Sequence, residues 1–331
     1  MKILITGGAG FIGSNLAKKL MDRGDKVVII DNFNDYYDPQ LKRDRIKIYL
    51  QGYKFKLYKG DIRDAKLIEK IFSAEGGSAS GGKTEKIDKV VHLAAMVGVR
   101  NSLRDPKLYF DVNVMGSLNL LEVAARYKIK NFVLASSSSV YGNNKKVPFS
   151  ESDPVDRPIS PYAASKKADE LIAHTYHHIY GLNVTVLRFF TVYGPWGRPD
   201  MAPYLFTDAI AKGKPIKVFN YGKMSRNFTY VDDIVSGVIT VLDKGRGYDI
   251  LNIGGDKEET LLRFIEVIEQ NIGKKAKKKM MPIQPGDVPT TVADIRKLRK
   301  LGWKPTTRIE KGLKNFVEWY KEYHKNNPVV K

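Results

Sequence analysis

The chain has 331 residues, 43% of them hydrophobic, which exceeds the usual size of one core and predicts two closely packed domains. Its 56 Lys+Arg against 36 Asp+Glu leave a net charge of +20, but the charge is dispersed, so a nucleic-acid partner is not expected. Zero cysteines exclude disulfides, a thiolate nucleophile and cysteine metal ligands, and no apolar run is long enough for a membrane span.

The N-terminus enters a strand directly, without the basic stretch of a signal peptide, and the expected location is the cytoplasm. Strands and helices then alternate: Lys2–Thr6 and Phe11–Arg23, Lys26–Asp31 and Leu41–Leu50, Phe55–Lys59 and Ala65–Phe72, Val90–Leu93 and Leu108–Tyr127. Asn131–Ser136 and Val184–Arg188 continue the strand series around a long helix over Pro161–Tyr180. This alternation predicts an α/β fold, a Rossmann-type doubly wound parallel sheet. Ala74–Lys86 has four glycines and no periodicity, and reads as a surface loop. From Thr191 the alternation loosens, punctuated by Pro195, Pro199, Pro203 and Pro215. The expected organisation is a nucleotide-binding domain over 1–190 and a smaller mixed α/β substrate domain over 191–331, with a segment of about 226–258 returning to the first. Lys274–Lys279 lacks interleaved aromatics and reads as a solvated connection between a helix and a strand. His177 and His178 are neighbours on a helix, pointing about 100° apart, so no metal site is expected.

Gly7, Gly10 and Gly13 follow the first strand and open a helix at Phe11-Ile12, where glycines let a backbone approach a pyrophosphate. Asp31, eighteen residues after Gly13 and ending the second strand, is placed to accept from adenosine ribose hydroxyls, which favours NAD over NADP. The next residues, Asn32-Phe33-Asn34, supply no arginine for a 2′-phosphate. Tyr162 and Lys166 lie four apart at a helix start marked by Pro161, so both side chains share one face. A phenol titrates near 10, about three units too high for a general base at neutral pH, and a neighbouring ammonium supplies the positive charge it needs. Ser136 to Ser139 end the fifth strand, at the edge where such sheets gather their sites; for Ser136 alone, capping of backbone groups is the expected role.

With these motifs the chain resembles the extended short-chain dehydrogenase/reductases from end to end, and within them the nucleotide-sugar epimerases. The segments Asp31–Pro39, Gly98-Val99-Arg100 and Arg188–Met201 are most similar to those of UDP-glucuronate 4-epimerases, the last being the most specific. The resemblance implies bound NAD, with Tyr162 as base, Lys166 as its partner, and Ser137 on the reacting oxygen. Gly60-Asp61-Ile62 resembles the adenine-contacting segment and Leu93-Ala94-Ala95 the cofactor wall; Asn32 belongs with them, while Asp61 alone fits a turn or helix cap equally well. It further implies a UDP-sugar substrate, with Ser138, Ser139, Thr191 and Arg198 at the sugar, Arg226 at the diphosphate and Arg100 facing a substrate anion. Arginine suits these positions because its planar fork matches carboxylate and phosphate oxygens. Gln284 stands where galactose-type enzymes have an arginine before Pro-Gly-Asp, so their phosphate contacts do not transfer simply.

Dehydratases of this type carry Asp-Glu where Ser138-Ser139 stand, and decarboxylases carry a glutamate at Ser139. The expected reaction is therefore C4 epimerisation of UDP-glucuronate to UDP-galacturonate. A neutral-sugar UDP-glucose 4-epimerase and a UDP-glucuronate decarboxylase stand as alternatives, and an idle NAD-sensing protein as the non-enzyme reading. The resemblance also implies a homodimer through Pro106–Tyr127 and Pro161–Tyr180.

Overall fold

The computed structural model describes residues 1–74, 86–284 and 287–326. Most of the Ala74–Lys86 loop, and Pro285-Gly286, lie outside the described residues. Seven parallel strands form the central sheet: β1 (Lys2–Thr6), β2 (Lys26–Asp31), β3 (Phe55–Lys59), β4 (Lys89–His92), β5 (Asn131–Ser137), β6 (Val184–Phe189) and β7 (Tyr248–Ile253). Their order is β7-β6-β5-β4-β1-β2-β3, so chain direction across the sheet reverses between β1 and β4. At such a reversal the connecting helices leave on opposite faces and open a crevice beyond the strands' C-terminal ends.

The middles of the inner strands are apolar, as expected for a sheet buried on both faces, and their polar residues gather mostly at the ends. Leu4, Val28, Val90, Leu134 and Val186 face one hydrophobic cluster, and Ile3, Ile5, Ile29, Val91, Val133 and Leu187 face the other. Four of the flanking helices are α1 (Phe11–Asp22), α2 (Ala65–Ala74), α3 (Gly116–Arg126) and α4 (Pro161–Tyr180). The next, α5 (Val231–Lys244), buries Ile234, Val235, Val238, Val241 and Leu242, each worth about 1.5–3 kcal/mol when fully shielded. The last two, α6 (Leu261–Ile272) and α7 (Ile309–Asn326), pack on each other outside the sheet's C-terminal edge.

Helix α4 shows how sequence sets a boundary. Pro161 occupies its first turn, the Ser160 hydroxyl accepts from the Ala163 N–H at 3.1 Å, and Gly181 ends it in the left-handed conformation. Two expected helices are interrupted. Leu41–Leu50 becomes a short helix at Pro39–Asp44 running into a π-turn at Arg45–Tyr49, and Leu108–Tyr127 carries a π-turn at Phe110–Met115 before α3. The first bulge turns Arg45 inward; the second turns Asn113 toward Met96 and Ser165.

The lysine-rich run does join α6 to a strand, Lys278–Met280, but it is not simply solvated. Lys275 and Lys278 pair with buried Glu269, and Lys274 donates to the Ala211 carbonyl. Among the described residues no group of histidines and carboxylates is arranged for a metal, and no helix is long and apolar enough to cross a membrane.

Candidate active site

A single cavity of about 1090 Å³ runs along the C-terminal edge of the sheet, from the loop after β1 to the layer formed by α6 and the segments around it. Single small-molecule sites typically occupy about 300–1,000 Å³, so this one lies just beyond the upper end of that range. Every candidate residue from the sequence lines it, from Gly7 to Arg226. Parallel pairing explains the convergence: Thr6 sits opposite both Ile30 and His92, and Ser137 opposite Phe189, so the segments after β1, β2, β4, β5 and β6 leave the sheet at one level.

At one end the site is made of backbone. Gly7 has φ +69°, and a Cβ there would lie 2.9 Å from the Ala94 nitrogen. At Gly13 a Cβ would stand 2.3 Å from the Gly7 carbonyl oxygen. Only glycine lets the loop close so tightly on the start of α1. Gly10, capping that helix, makes no side-chain cap hydrogen bond, which leaves the first N–H groups of α1 available to an anion. Asp31 accepts from the backbone N–H groups of Ala9 at 3.0 Å and Phe33 at 2.8 Å, and so also ties the glycine loop to β2. Burial pushes its carboxyl up, against those hydrogen bonds. Asp61 makes a turn: it accepts from the Arg63 backbone and guanidinium and from Asn32. Burial alone would raise its carboxyl, but the Arg63 contacts outweigh it and hold it down at about 2. The helix that follows is capped by Asp64, whose carboxylate accepts from the Leu67 N–H. This cradle, with uncapped amides beside an acidic strand end, fits a dinucleotide cofactor.

In the middle stand Tyr162 and Lys166 on α4. The Tyr162 ring meets Tyr109 edge-on, with centroids 6.1 Å apart. Lys166 is buried and donates to Asp169 Oδ2 at 2.7 Å. The Ser137 hydroxyl accepts from the Ser139 N–H and donates to the Ser139 hydroxyl, both at 3.1 Å, capping a short 3₁₀ turn at Ser138–Tyr141. Ser136 departs from its expected role of capping backbone. Its hydroxyl donates to Glu170, whose carboxylate also takes both arms of the buried Arg188 guanidinium at 2.9 and 2.8 Å. That pair locks α4 to β6.

At the far end the site is made of cations already in partnership. Arg198 holds Asp200 through two nitrogens, at 3.0 and 2.5 Å, with its guanidinium over the Tyr36 ring. Arg226 donates to the carbonyls of Ser225, Val288 and Pro289, and burial lowers its pKa against the pull of Asp287. Arg100 is half exposed at the mouth, 2.6 Å from Asp287 and stacked over Phe219.

Among the residues that sequence reading missed are Tyr36 and Lys42 in the lining and Arg45 buried behind it. Tyr36 lay unassigned within the Asp31–Pro39 segment; its hydroxyl accepts from Asn101. Lys42 donates to the carbonyl and side chain of Asn34 and brings an ammonium near Asp31, with burial lowering its pKa first and Asp31 opposing. Fully buried Arg45 reaches Ala9, Tyr37 and the carbonyl of Trp196, a residue held at φ +63°. It thus fastens the glycine loop to the segment that carries Arg198. Nothing in the local pattern singles out Lys42 or Arg45.

A doubly wound sheet with a glycine cradle after β1, an acid ending β2 and a Tyr-x-x-x-Lys helix beside β5 defines a nucleotide-binding enzyme of the short-chain dehydrogenase/reductase class. The profile of the GDP-mannose 4,6 dehydratase family matches residues 4–316. A UDP-glucuronate 4-epimerase of Thermodesulfobacterium geofontis is 46% identical over 321 residues, covering 96% of each chain. Among solved structures, a UDP-glucuronic acid 4-epimerase from Bacillus cereus, in complex with UDP-glucuronic acid and NAD, superposes with a TM-score of 0.89 at 34% identity, covering 98% of this chain and 100% of that one. A UDP-glucose 4-epimerase from Thermotoga maritima with UDP-glucose gives 0.86 at 32% identity, over 98% and 99%. The chain belongs to the extended short-chain dehydrogenase/reductase family, among the UDP-glucuronate 4-epimerases.

Proposed function

We propose that this protein is an isomerase that uses tightly bound NAD to convert UDP-glucuronate to UDP-galacturonate in the cytoplasm. The observation that carries this reading is the serine pair: Ser138 and Ser139 line the cavity beside Tyr162, at positions where elimination or decarboxylation would call for carboxylates. The family profile is named for a dehydratase, but these two side chains supply neither the extra acid nor the extra base that loss of water requires.

The glycine loop, the start of α1, Asp31 and the Leu93-Ala94-Ala95 wall would hold the dinucleotide. Bound there, its nicotinamide supplies a hydride acceptor at C4 of the sugar and later a hydride donor. Tyr162 takes the proton of the 4-hydroxyl, helped by Lys166, while the Ser137 hydroxyl supports the reacting oxygen. After the 4-keto sugar has turned over, Tyr162 returns the proton and C4 has inverted. Turnover requires affinity to reside in the UDP portion, which Arg226 and Arg100 address, with the sugar held loosely. A 4-keto uronate is a β-keto acid and loses CO₂ when its carboxylate bond aligns with the ketone π system. The hydroxyls of Ser138, Ser139 and Thr191, together with Arg198, hold the carboxylate away from that alignment, whereas a glutamate there would repel it.

Proton NMR of UDP-glucuronate incubated with the protein tests the reading. UDP-galacturonate should grow in to a stable ratio. Exchange of UDP-glucose with UDP-galactose alone would establish the neutral-sugar alternative, and CO₂ release would establish decarboxylation.

We read the sheet and its helices as the NAD-binding domain and the segments outside its C-terminal edge as the UDP-sugar domain. Leu103, Phe110, Met115, Leu171, Ile179 and Tyr180 leave apolar surface exposed on or beside α4 and the helix before α3, which supports a homodimer through these helices. Light scattering at micromolar concentration should return twice the chain mass; a monomer mass would reject the dimer.

A further inference from the structure

The Lys166 ammonium is shared with a carboxylate from its own helix. Asp169 lies one turn on, 2.7 Å from Lys166 Nζ, and the two side chains are 0% and 3% exposed. The second carboxylate oxygen, Asp169 Oδ1, is buried without a hydrogen-bond partner among the described residues, because the neighbouring Ser117 hydroxyl, which would favour the charged carboxylate, donates instead to the Asn113 carbonyl. Buried polar atoms are nearly always satisfied, so an orphan carboxylate oxygen beside a catalytic lysine calls for a functional reason.

The other ionisable groups around this pair are engaged elsewhere. From β4 comes His92, enclosed between Thr6 and Ser117. The Thr6 hydroxyl accepts from the Leu93 and Ala94 N–H groups, so its own proton goes to His92 Nδ1, at 2.6 Å, leaving Nε2–H for Ser117. This histidine stays neutral, burial having lowered its pKa to about 3. Glu170 is matched by Arg188 of β6 and by Lys167. Tyr141 of the 3₁₀ turn bonds Asn252 and Arg188. Near the amino end of α4, Tyr109 donates to the Val97 carbonyl, Arg100 pairs with Asp287, and Asp111 pairs with Arg63. On α3, Glu122 pairs with Arg126.

We propose that Asp169 is a positioning residue that sets the working pH of the Tyr162–Lys166 pair by partly cancelling the lysine's field. An unopposed ammonium would favour the Tyr162 phenolate strongly, producing a ready base but a poor acid, and this reaction needs both in one cycle. The carboxylate, 2.7 Å from the ammonium, moderates that field. Burial raises the Asp169 carboxyl and adjacent Glu170 adds to the rise, while Lys166 and the Ser117 hydroxyl work against it. The inference rests on Tyr162 being the base.

The test is the pH dependence of kcat for UDP-glucuronate with the NAD-loaded protein and its Asp169→Asn, Asp169→Ser and Asp169→Glu variants, beside Tyr162→Phe. Asp169→Asn and Asp169→Ser should move the limbs of the profile to lower pH by about one unit, because an ammonium without its counter-charge favours the phenolate more strongly. Asp169→Glu should return the limbs toward the parent's at whatever rate it supports. Limbs that stay in place in Asp169→Asn while only the height changes would overturn the proposal, as would loss of folding in both neutral variants, which would make Asp169 structural. If Tyr162→Phe turns over normally, the base assignment itself has failed; an inactive Tyr162→Phe with unmoved limbs in Asp169→Asn defeats the Asp169 role alone.

Discussion

The two ends of the cavity are built on different principles. The cofactor end is backbone: Gly7, Gly10 and Gly13 leave no room for side chains, and Asp31 is fixed by the Ala9 and Phe33 N–H groups. The substrate end is side chain: Arg198, Arg226 and Arg100 reach in from separate segments, each already holding a protein acceptor. A backbone cradle gives one geometry and retains one ligand. Cations with exchangeable partners can trade a neighbouring carboxylate or carbonyl for a substrate oxygen and back again, as an enzyme must when it keeps its cofactor and turns over its sugar.

The sharpest way to break this contrast is at the boundary between the two ends. Tyr162→Phe should leave folding and NAD binding intact while epimerisation falls by a factor on the order of 10²–10⁴. Near-normal turnover would remove Tyr162 from the chemistry and leave two ligand sites with no catalyst between them.

At the substrate end, Arg198→Ala and Thr191→Ala should each slow UDP-glucuronate turnover by roughly 10- to 150-fold, the value of one charge-assisted contact. Loosened carboxylate control should also let some 4-keto intermediate decarboxylate. A 4-keto pentose that escapes strands NADH, so absorbance near 340 nm should accumulate along with UDP-pentose. If both variants epimerise like the parent, with neither product, the carboxylate is held elsewhere and the neutral-sugar reading gains.

At the cofactor end, Gly13→Ala forces a Cβ to within 2.3 Å of the Gly7 carbonyl. Strain of about 1–3 kcal/mol should lower NAD affinity roughly 5- to 150-fold, with UDP-sugar binding less affected. Titration calorimetry of the two ligands separates these effects, and equal losses would contradict a division of labour between the ends.

The smallest effect belongs to the mouth. Arg100 and Asp287 form a partly exposed pair, and such pairs contribute about 0–1 kcal/mol. Arg100→Ala should therefore change the KM for the UDP-sugar by less than about fivefold, with kcat unchanged. A large fall in kcat would place Arg100 in the reacting geometry.

The same division separates what could be read from the chain alone. Each element of the β1-to-α1 unit was legible because its requirements are local: Lys2–Thr6 needs only an apolar run and the loop needs glycines at fixed spacing; likewise the start of α4 was marked by Pro161. Tyr162 and Lys166 were legible for the same reason, since four residues on a helix make one face. Asp169 was open to the same argument at a spacing of three from Lys166, but a carboxylate at that spacing is ordinary on exposed helices, and only burial makes this one unusual. The π-turns escaped because hydrophobic periodicity does not register one extra residue in a turn.

What the amino-acid order determined by itself was the parallel sheet, the glycine loop after β1 and the shared face of Tyr162 and Lys166, because each follows from steric and hydrogen-bonding rules acting over a few residues. Tertiary structure alone decided the partnerships: Arg45 with Trp196 across 151 positions, Arg100 with Asp287 across 187, and Ser136 and Arg188 converging on Glu170. A charged side chain can satisfy many acceptors equally well. Which one it meets depends on how the sheet's edge brings distant segments to one level, and on how much water is left when they arrive.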